Sequence, residues 1–431
     1  MKRSLLVVFV LLAGLLIGIG TWMWPGLRRP HPRAEWPEFR GPTQDGHSTA
    51  TGLPTEWSTT KNVLWKINLP GKAWSSPVVA ESRIYLTNAT APNDNDLHQN
   101  VSLRVTCLEA AGGKVLWDQE VFSIENPYGF GMHDKNSYAS PTPVFDEGKI
   151  YAHFGHFGSA CLDTEGHVIW KTQEPTYKAE HGAGGCPIVI GHSMIFNCDG
   201  VEDPFVAALD TATGKVRWKQ SRDRSSKSNY SLSTPLVIDV QGKKQIVTVG
   251  THIIQGLDPE TGHPLWYVNH KGYCVVPRPV YAHGLVYFST GFDAPILDAV
   301  KPEGLGSKDN PVWQLTKNAP LTPSLLAVGD DLYAVSDKGI VSCLDAQTGQ
   351  VQWQERVGRA TSASPLYADG KIYVQDEFGK GYVLQPGRQF KLLATNDLED
   401  PSLASYAVHE HTLLIRTLHA LWCIGEAKKG S

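Results

Sequence analysis

The chain has 431 residues, 39 Lys and Arg against 43 Asp and Glu, a net charge of -4, and 41 Gly, 28 Pro and 13 Trp. That length exceeds the usual single-domain range, so several domains or one repeat array is expected. The charge balance, without a basic stripe carrying interleaved aromatics, argues against a nucleic-acid partner.

Met1-Lys2-Arg3 is a positive start, followed by an uncharged, mostly apolar run from Ser4 to Leu27. Such a run, about 20 residues, is long enough to span a bilayer. Residues 1–30 are therefore expected to be a signal peptide or a signal anchor, and Trp22-Met23-Trp24 suits an interfacial belt. Either way the folded body is exported, periplasmic or cell-surface, with the membrane as partner through the N-terminal anchor. Residues 31–61 read as an extended segment, 62–425 as the repeat domain and 426–431 as a tail.

The repeat domain spells one unit again and again. Its fullest copies are Leu209-Asp210-Thr211-Ala212-Thr213-Gly214-Lys215-Val216-Arg217-Trp218, LDPETGHPLW ending at Trp266, and LDAQTGQVQW ending at Trp353. Weaker copies end at Trp117 and Trp170. A period of roughly 40–50 residues marks propellers or solenoids. Each unit opens on small residues and Pro (Ser75-Ser76-Pro77, Ser140-Pro141-Thr142-Pro143, Gly185-Cys186-Pro187, Ser233-Thr234-Pro235, Pro277-Arg278-Pro279). Proline belongs at a strand start or an edge, as the crowded innermost strand of a blade is. Asp-x-x-Thr-Gly suits a tight hairpin with Gly in the left-handed region.

Starts near Pro77, Pro143, Pro187, Pro235, Pro279, Pro323, Pro365 and Ser405 give eight units, and the eighth stops after Leu421-Trp422-Cys423-Ile424. Its missing outer strand is Asn62-Val63-Leu64-Trp65-Lys66-Ile67, displaced to the N-terminal end. The expected fold is all-β: a monomeric eight-bladed β-propeller of four-stranded antiparallel blades, closed by an N-terminal outer strand. Cys107, Cys161, Cys343 and Cys423 share one repeat position and read as small buried hydrophobes. Cys186 and Cys198 fall in one blade, where pairing stays open.

The repeat resembles the pyrroloquinoline quinone (PQQ) repeat of the quinoprotein alcohol dehydrogenase-like superfamily, over roughly residues 35–425. Trp36-Pro37-Glu38-Phe39-Arg40-Gly41-Pro42, Leu53-Pro54-x-x-Trp57 and Lys135-Asn136-Ser137-Tyr138-Ala139-Ser140-Pro141 are similar to exported PQQ-binding-like propeller proteins abundant in planctomycetes. The dehydrogenases imply PQQ and Ca²⁺ as cofactors, but their vicinal Cys-Cys is absent and their metal ligands map onto no stretch here. The repeat also resembles that of the outer-membrane assembly lipoproteins, which share the propeller and carry a lipidated Cys at the mature N-terminus, whereas the first Cys here is Cys107.

Candidate binding residues are those that break the repeat on the loop face around the axis. They are His133, Asp134, Lys135, Asn136 and Tyr138 in an enlarged entry loop, His153 and His156, His181, Asp199 and, from the last blade, Arg416. Imidazoles with carboxylates suit a transition metal if they converge. Solvated loop residues are the plainer reading. Asn93-Asp94-Asn95-Asp96 lacks the spacing of a Ca²⁺ loop, and no Gly-x-Ser-x-Gly elbow is present. The expected function is a non-catalytic binding module for a protein or small polar ligand; the alternative is a PQQ- and Ca²⁺-dependent alcohol or sugar dehydrogenase.

Overall fold

A computed structural model describes residues 35–92, 100–125, 132–222, 230–292, 294–303 and 311–426. Arg33–Ser431 form one compact unit. The candidate signal or anchor and Asn93–Asp96 lie outside the described residues, among which no helix is long and apolar enough to cross a membrane.

Eight four-stranded antiparallel sheets make the ring. Blade 1, for instance, runs outward from Val78–Ala80 through Arg83–Thr90 and Val101–Glu109 to Val115–Ile124. Blade 8 takes its three inner strands from Ala407–His409, Thr412–Arg416 and Ala420–Ile424, and its outer strand from Val63–Asn68. Trp65 pairs with Cys423 and Ile67 with Leu421, so the displaced outer strand completes the last blade and closes the circle.

The repeat motif turns out to describe junctions between blades. In the turn, the Asp210 carboxylate accepts from the Thr213 amide at 2.9 Å and hydroxyl at 2.8 Å; Asp258 with Thr261 and Asp345 with Thr348 repeat the pattern. Gly214 follows at φ +71, where a Cβ would stand 2.6 Å from Trp170 of the preceding blade. Each such Trp lies on the next blade's turn and donates its indole N–H to a carbonyl there. Trp65 to Ala110, Trp117 to Thr164, Trp170 to Thr211, Trp218 to Pro259, Trp313 to Ala346 and Trp353 to Gly387 do so at 2.8–3.1 Å. Thr-Gly and Trp are therefore two halves of one interblade contact. Trp266 departs, donating instead to Gln245 within its own blade at 2.7 Å.

Cys107, Cys161, Cys343 and Cys423 are buried thiols, as their repeat position implies. Cys186 and Cys198 are also free. The pairing left open by the sequence does not occur, because Cys186 faces the axis while Cys198 packs between blades with Phe205 and Tyr151.

Candidate functional site

The stretch entering each inner strand is extended, so alternate side chains point to the axis. The residues nearest the strand form a collar of hydrogen bonds from blade to blade. The Ser76 amide donates to Thr142 Oγ1 (2.9 Å), Thr142 to Cys186 Sγ (3.2 Å) and Cys186 to Thr234 Oγ1 (3.0 Å). Arg278 donates to Ser324 Oγ (3.0 Å), Ser324 to Ser364 Oγ (3.0 Å) and Ser364 to Ser405 Oγ (2.9 Å). An innermost strand has an edge with unpaired N–H groups, and in six of the eight blades a small hydroxyl or thiol from the neighbour satisfies one of them. The collar encloses a cavity of about 680 Å³ on the axis.

One end of this channel has a floor made of the N-terminal segment. Trp36 and Val79 exchange backbone hydrogen bonds at 2.8 and 3.0 Å, and the Phe145 amide donates to Pro37 O at 2.8 Å. Gln44 Oε1 accepts from the Val237 amide at 2.8 Å, and the Tyr367 amide donates to Gly46 O at 2.9 Å. The segment thus crosses beneath the ring from blade 1 to blade 7, with Phe39 forming part of the channel lining. Arg278 ties it in place. Where other blades carry a collar hydroxyl, this buried guanidinium donates to Pro235 O (2.9 Å), Phe39 O (2.6 Å) and Glu38 Oε2 (3.2 Å). Burial raises the Glu38 carboxyl pKa despite that pairing. Arg40, also buried, donates to the carbonyls of Pro365, Leu325 and Asp45. Gly41 is required here: at φ +79, a Cβ would stand 2.7 Å from the Trp36 ring.

The other end is the loop face. The enlarged entry loop pairs with the next one through a Met132–His181 bridge and a Ser137–Ala183 bridge. Asn136 Nδ2 donates to His181 O at 2.7 Å, which fixes the His133 and His181 rings edge to face at 5.9 Å. An aromatic arc continues from His181 to Tyr230 (4.8 Å), Tyr273 (6.4 Å) and Phe292 (6.0 Å). Lys135 reaches across the mouth to Glu377 of blade 7 at 2.6 Å, and Ser362 donates to the same carboxylate oxygen at 2.6 Å. Asp337 accepts from the Leu321 and Thr322 amides at 2.6 and 3.1 Å and from the Thr322 hydroxyl, and burial raises its pKa.

The candidates from the sequence divide accordingly. His133, Lys135, Asn136 and His181 line the channel together. Asp134 is exposed beside them, its carbonyl accepting from Lys72 at 3.3 Å, and Tyr138 is buried edge-on against Phe157. His153 lies apart, buried on Phe196 with Nδ1 2.9 Å from Ser159 Oγ; burial pushes its pKa down to about 3. Burial likewise lowers His156 to about 4, its ring tilted against Phe157 with centroids 3.9 Å apart. Asp199 is a buried partner of Arg222, its pKa raised by burial to about 7. Arg416 is buried between blades 8 and 1, donating to Ser75 O (3.3 Å), Ser75 Oγ (2.6 Å), Thr87 O (2.9 Å) and Asn88 Oδ1 (3.2 Å).

The sequence left open whether the four histidines meet: His133 and His181 do, His153 lies apart, and among the described residues no group of three or more His, Cys, Asp or Glu could hold a metal ion. Arg278, Glu38, Asp337, Glu377, Tyr230, Tyr273 and Phe292 were not singled out from the sequence as site residues. The one available signal was Arg278, a large cation at a repeat position otherwise held by Ser, Thr or Cys.

A closed ring of eight blades, clamped Trp to Thr-Gly and sealed beneath by its own N-terminal segment, defines a PQQ-repeat propeller. The chain belongs to the PQQ_2 family, described as "Outer membrane protein assembly factor BamB", whose model matches residues 101–293 and 250–387. It is 22% identical over 362 residues to the outer membrane protein assembly factor BamB of Shewanella oneidensis, covering 80% of this chain and 86% of that one. Among solved structures, BamB from Moraxella catarrhalis matches at TM-score 0.59 and 14% identity, over 85% of this chain and 98% of that one. The computationally designed Ika8 protein matches at TM-score 0.59 and 10% identity, over 84% and 100%. These likenesses concern the fold.

Proposed function

We propose that the protein is an exported, non-catalytic scaffold that presents the open mouth of its channel to a protein partner during outer-membrane protein assembly. The observation carrying this reading is the exposure of two aromatic side chains on the loop face, Phe292 at 52% and Phe378 at 50%. Exposed aromatics beside a preformed pocket are the usual anchors of protein interfaces. The floor offers no such entrance, since residues 36–47 cover it. The family description supports the assembly role, and the apolar run behind Lys2 and Arg3 supports export with a membrane tether.

The donor set speaks for binding rather than quinone chemistry. PQQ is a tricarboxylate held with a divalent cation. Lys135 is the only Lys or Arg lining the channel among the described residues, and it is paired with Glu377.

The test is to delete the gene in its source and measure the abundance of outer-membrane β-barrel proteins. Loss on deletion, restored by the intact gene but not by an equally abundant Phe292→Ala/Phe378→Ala variant, is the expected result. Full restoration by that variant, or dye-linked alcohol oxidation by the purified protein with PQQ and Ca²⁺, would overturn the reading.

A further inference from the structure

The layer of side chains above the collar has a pattern that the collar lacks. In a closed ring of eight, blades four apart face each other across the axis. Trp74 of blade 1 therefore faces Val276 of blade 5, and Leu403 of blade 8 faces Leu232 of blade 4; all four line the channel. A quarter turn away, Ser140 of blade 2 faces Thr322 of blade 6. The channel is thus a slot, with two apolar walls opposite one another and two polar walls at right angles to them.

Just below, the collar offers donors. The Ser324 and Ser364 hydroxyls each accept one backbone N–H, and among the described residues neither has a protein acceptor for its own O–H; the Thr142 and Thr234 hydroxyls have only the weak acceptor Cys186 Sγ. These residues are only 2–5% exposed. A buried O–H without an acceptor is costly unless water or a ligand supplies one. Asp337, at the blade 6 wall, supplies the complementary acceptor.

An extended polypeptide has this cross-section. Its side chains alternate between two opposite faces, while its N–H and C=O groups leave along the perpendicular edges. A strand buried on both faces is apolar at every position. The volume lies within the range of preformed ligand sites, roughly 300–1,000 Å³.

The geometry points to an extended apolar chain end of the partner, inserted from the mouth, with side chains against the two apolar walls and backbone groups on the polar walls and collar. It must be a chain end, because Phe39 and the segment around it close the far side. This inference rests on the partner-binding reading above and names what the partner inserts.

The test is fluorescence anisotropy on the full chain, using a labelled Val-Ala-Leu-Ala-Val-Ala peptide with a Lys-Lys-Gly spacer. Saturable binding is expected, weakened at least tenfold when alternate backbone nitrogens are methylated. Val276→Trp and, from the opposite side, Leu403→Trp narrow the slot; whichever variant melts as the parent does should bind at least tenfold more weakly. Equal binding of the methylated peptide, or undiminished binding by the narrowed variant, would overturn the inference. If no peptide binds while the Phe292→Ala/Phe378→Ala variant still fails to restore assembly, the inference falls and the partner reading stands. If that variant restores assembly in full as well, both fall.

Discussion

Trp65 lies over Gly113: a Cβ on that glycine would stand 2.7 Å from the indole, whose N–H donates to Ala110 O at 3.1 Å. Trp65 belongs to the first strand of the chain and the last blade of the ring, Gly113 to blade 1. The contact that joins successive blades elsewhere here closes the circle. Trp65→Ala is expected to cost about 2–4 kcal/mol, by loss of a large, partly buried ring. Gly113→Ala should cost a comparable amount, through the clash and the φ of +72. Deleting Asn62–Leu69 should replace the single unfolding transition with a broad, non-cooperative one in calorimetry. An unchanged sharp transition would contradict closure.

The floor should depend on one ion pair. Arg278→Ser restores the hydroxyl type found in neighbouring blades but leaves Glu38 buried without its cation. Breaking such a pair from one side costs about 3–5 kcal/mol. Adding Glu38→Gln should recover part of that loss. Hydrogen exchange at residues 36–47 is expected to accelerate in the single variant and slow again in the double one; unchanged protection would show that the segment is held by other means.

Arg416 makes the corresponding latch within the ring. Its replacement by Ala leaves Ser75 O and Asn88 Oδ1 without their donor, at a cost of roughly 1–3 kcal/mol for each left dry, while Thr87 O and Ser75 Oγ keep the Ser75 hydroxyl and the Thr87 amide as donors. Arg416→Lys cannot reproduce the planar fork and should restore only part of the loss. Denaturant midpoints of the two variants measure this, and equal midpoints for Ala and Arg would refute the latch.

The acid limb of stability should start near neutrality. Burial holds the imidazoles of His153 and His156 neutral in the fold, at about 3 and about 4 against 6.5 when free. Below pH 6.5 the unfolded chain binds protons that the folded one refuses. Their contribution is therefore complete above 6.5 and is lost as pH falls, by about 1.4 kcal/mol per pH unit for a fully refused proton. Asp199, raised to about 7, works the opposite way, since between 3.8 and 7 the fold keeps a proton that the unfolded chain releases. Urea unfolding across pH 4–7 should flatten in His153→Asn and steepen in Asp199→Asn. The reverse pattern would contradict these environments.

The ring was legible because its grammar is local and repeated. Leu-Asp, Thr-Gly and Trp are each fixed by contacts that recur at most of the junctions, the indole bond at six of the eight, and the displaced strand at Trp65 needed only to be counted. The site was legible in part. Periodicity places a residue along a blade but does not say whether a loop side chain turns toward the axis or into a neighbouring blade. His133 and His181 turn in; Asp199 and Arg416 turn away, each to satisfy a buried polar group. The floor was harder still. Trp36-Pro37-Glu38-Phe39-Arg40-Gly41-Pro42 reads as an extended segment, and its partners lie up to several hundred residues away, as Arg40 with Pro365 shows.

The central claim is that one face of the ring, the open mouth, meets a protein partner. A photo-crosslinking residue placed singly at Phe292 or Phe378 on the mouth, and at Leu116 or Leu265 on the outer rim, tests it in the exported protein in living cells. Adducts with one discrete outer-membrane assembly protein from both mouth positions, and none from the rim, are the predicted result. Adducts from the rim alone, or equal adducts from all four positions, would contradict it.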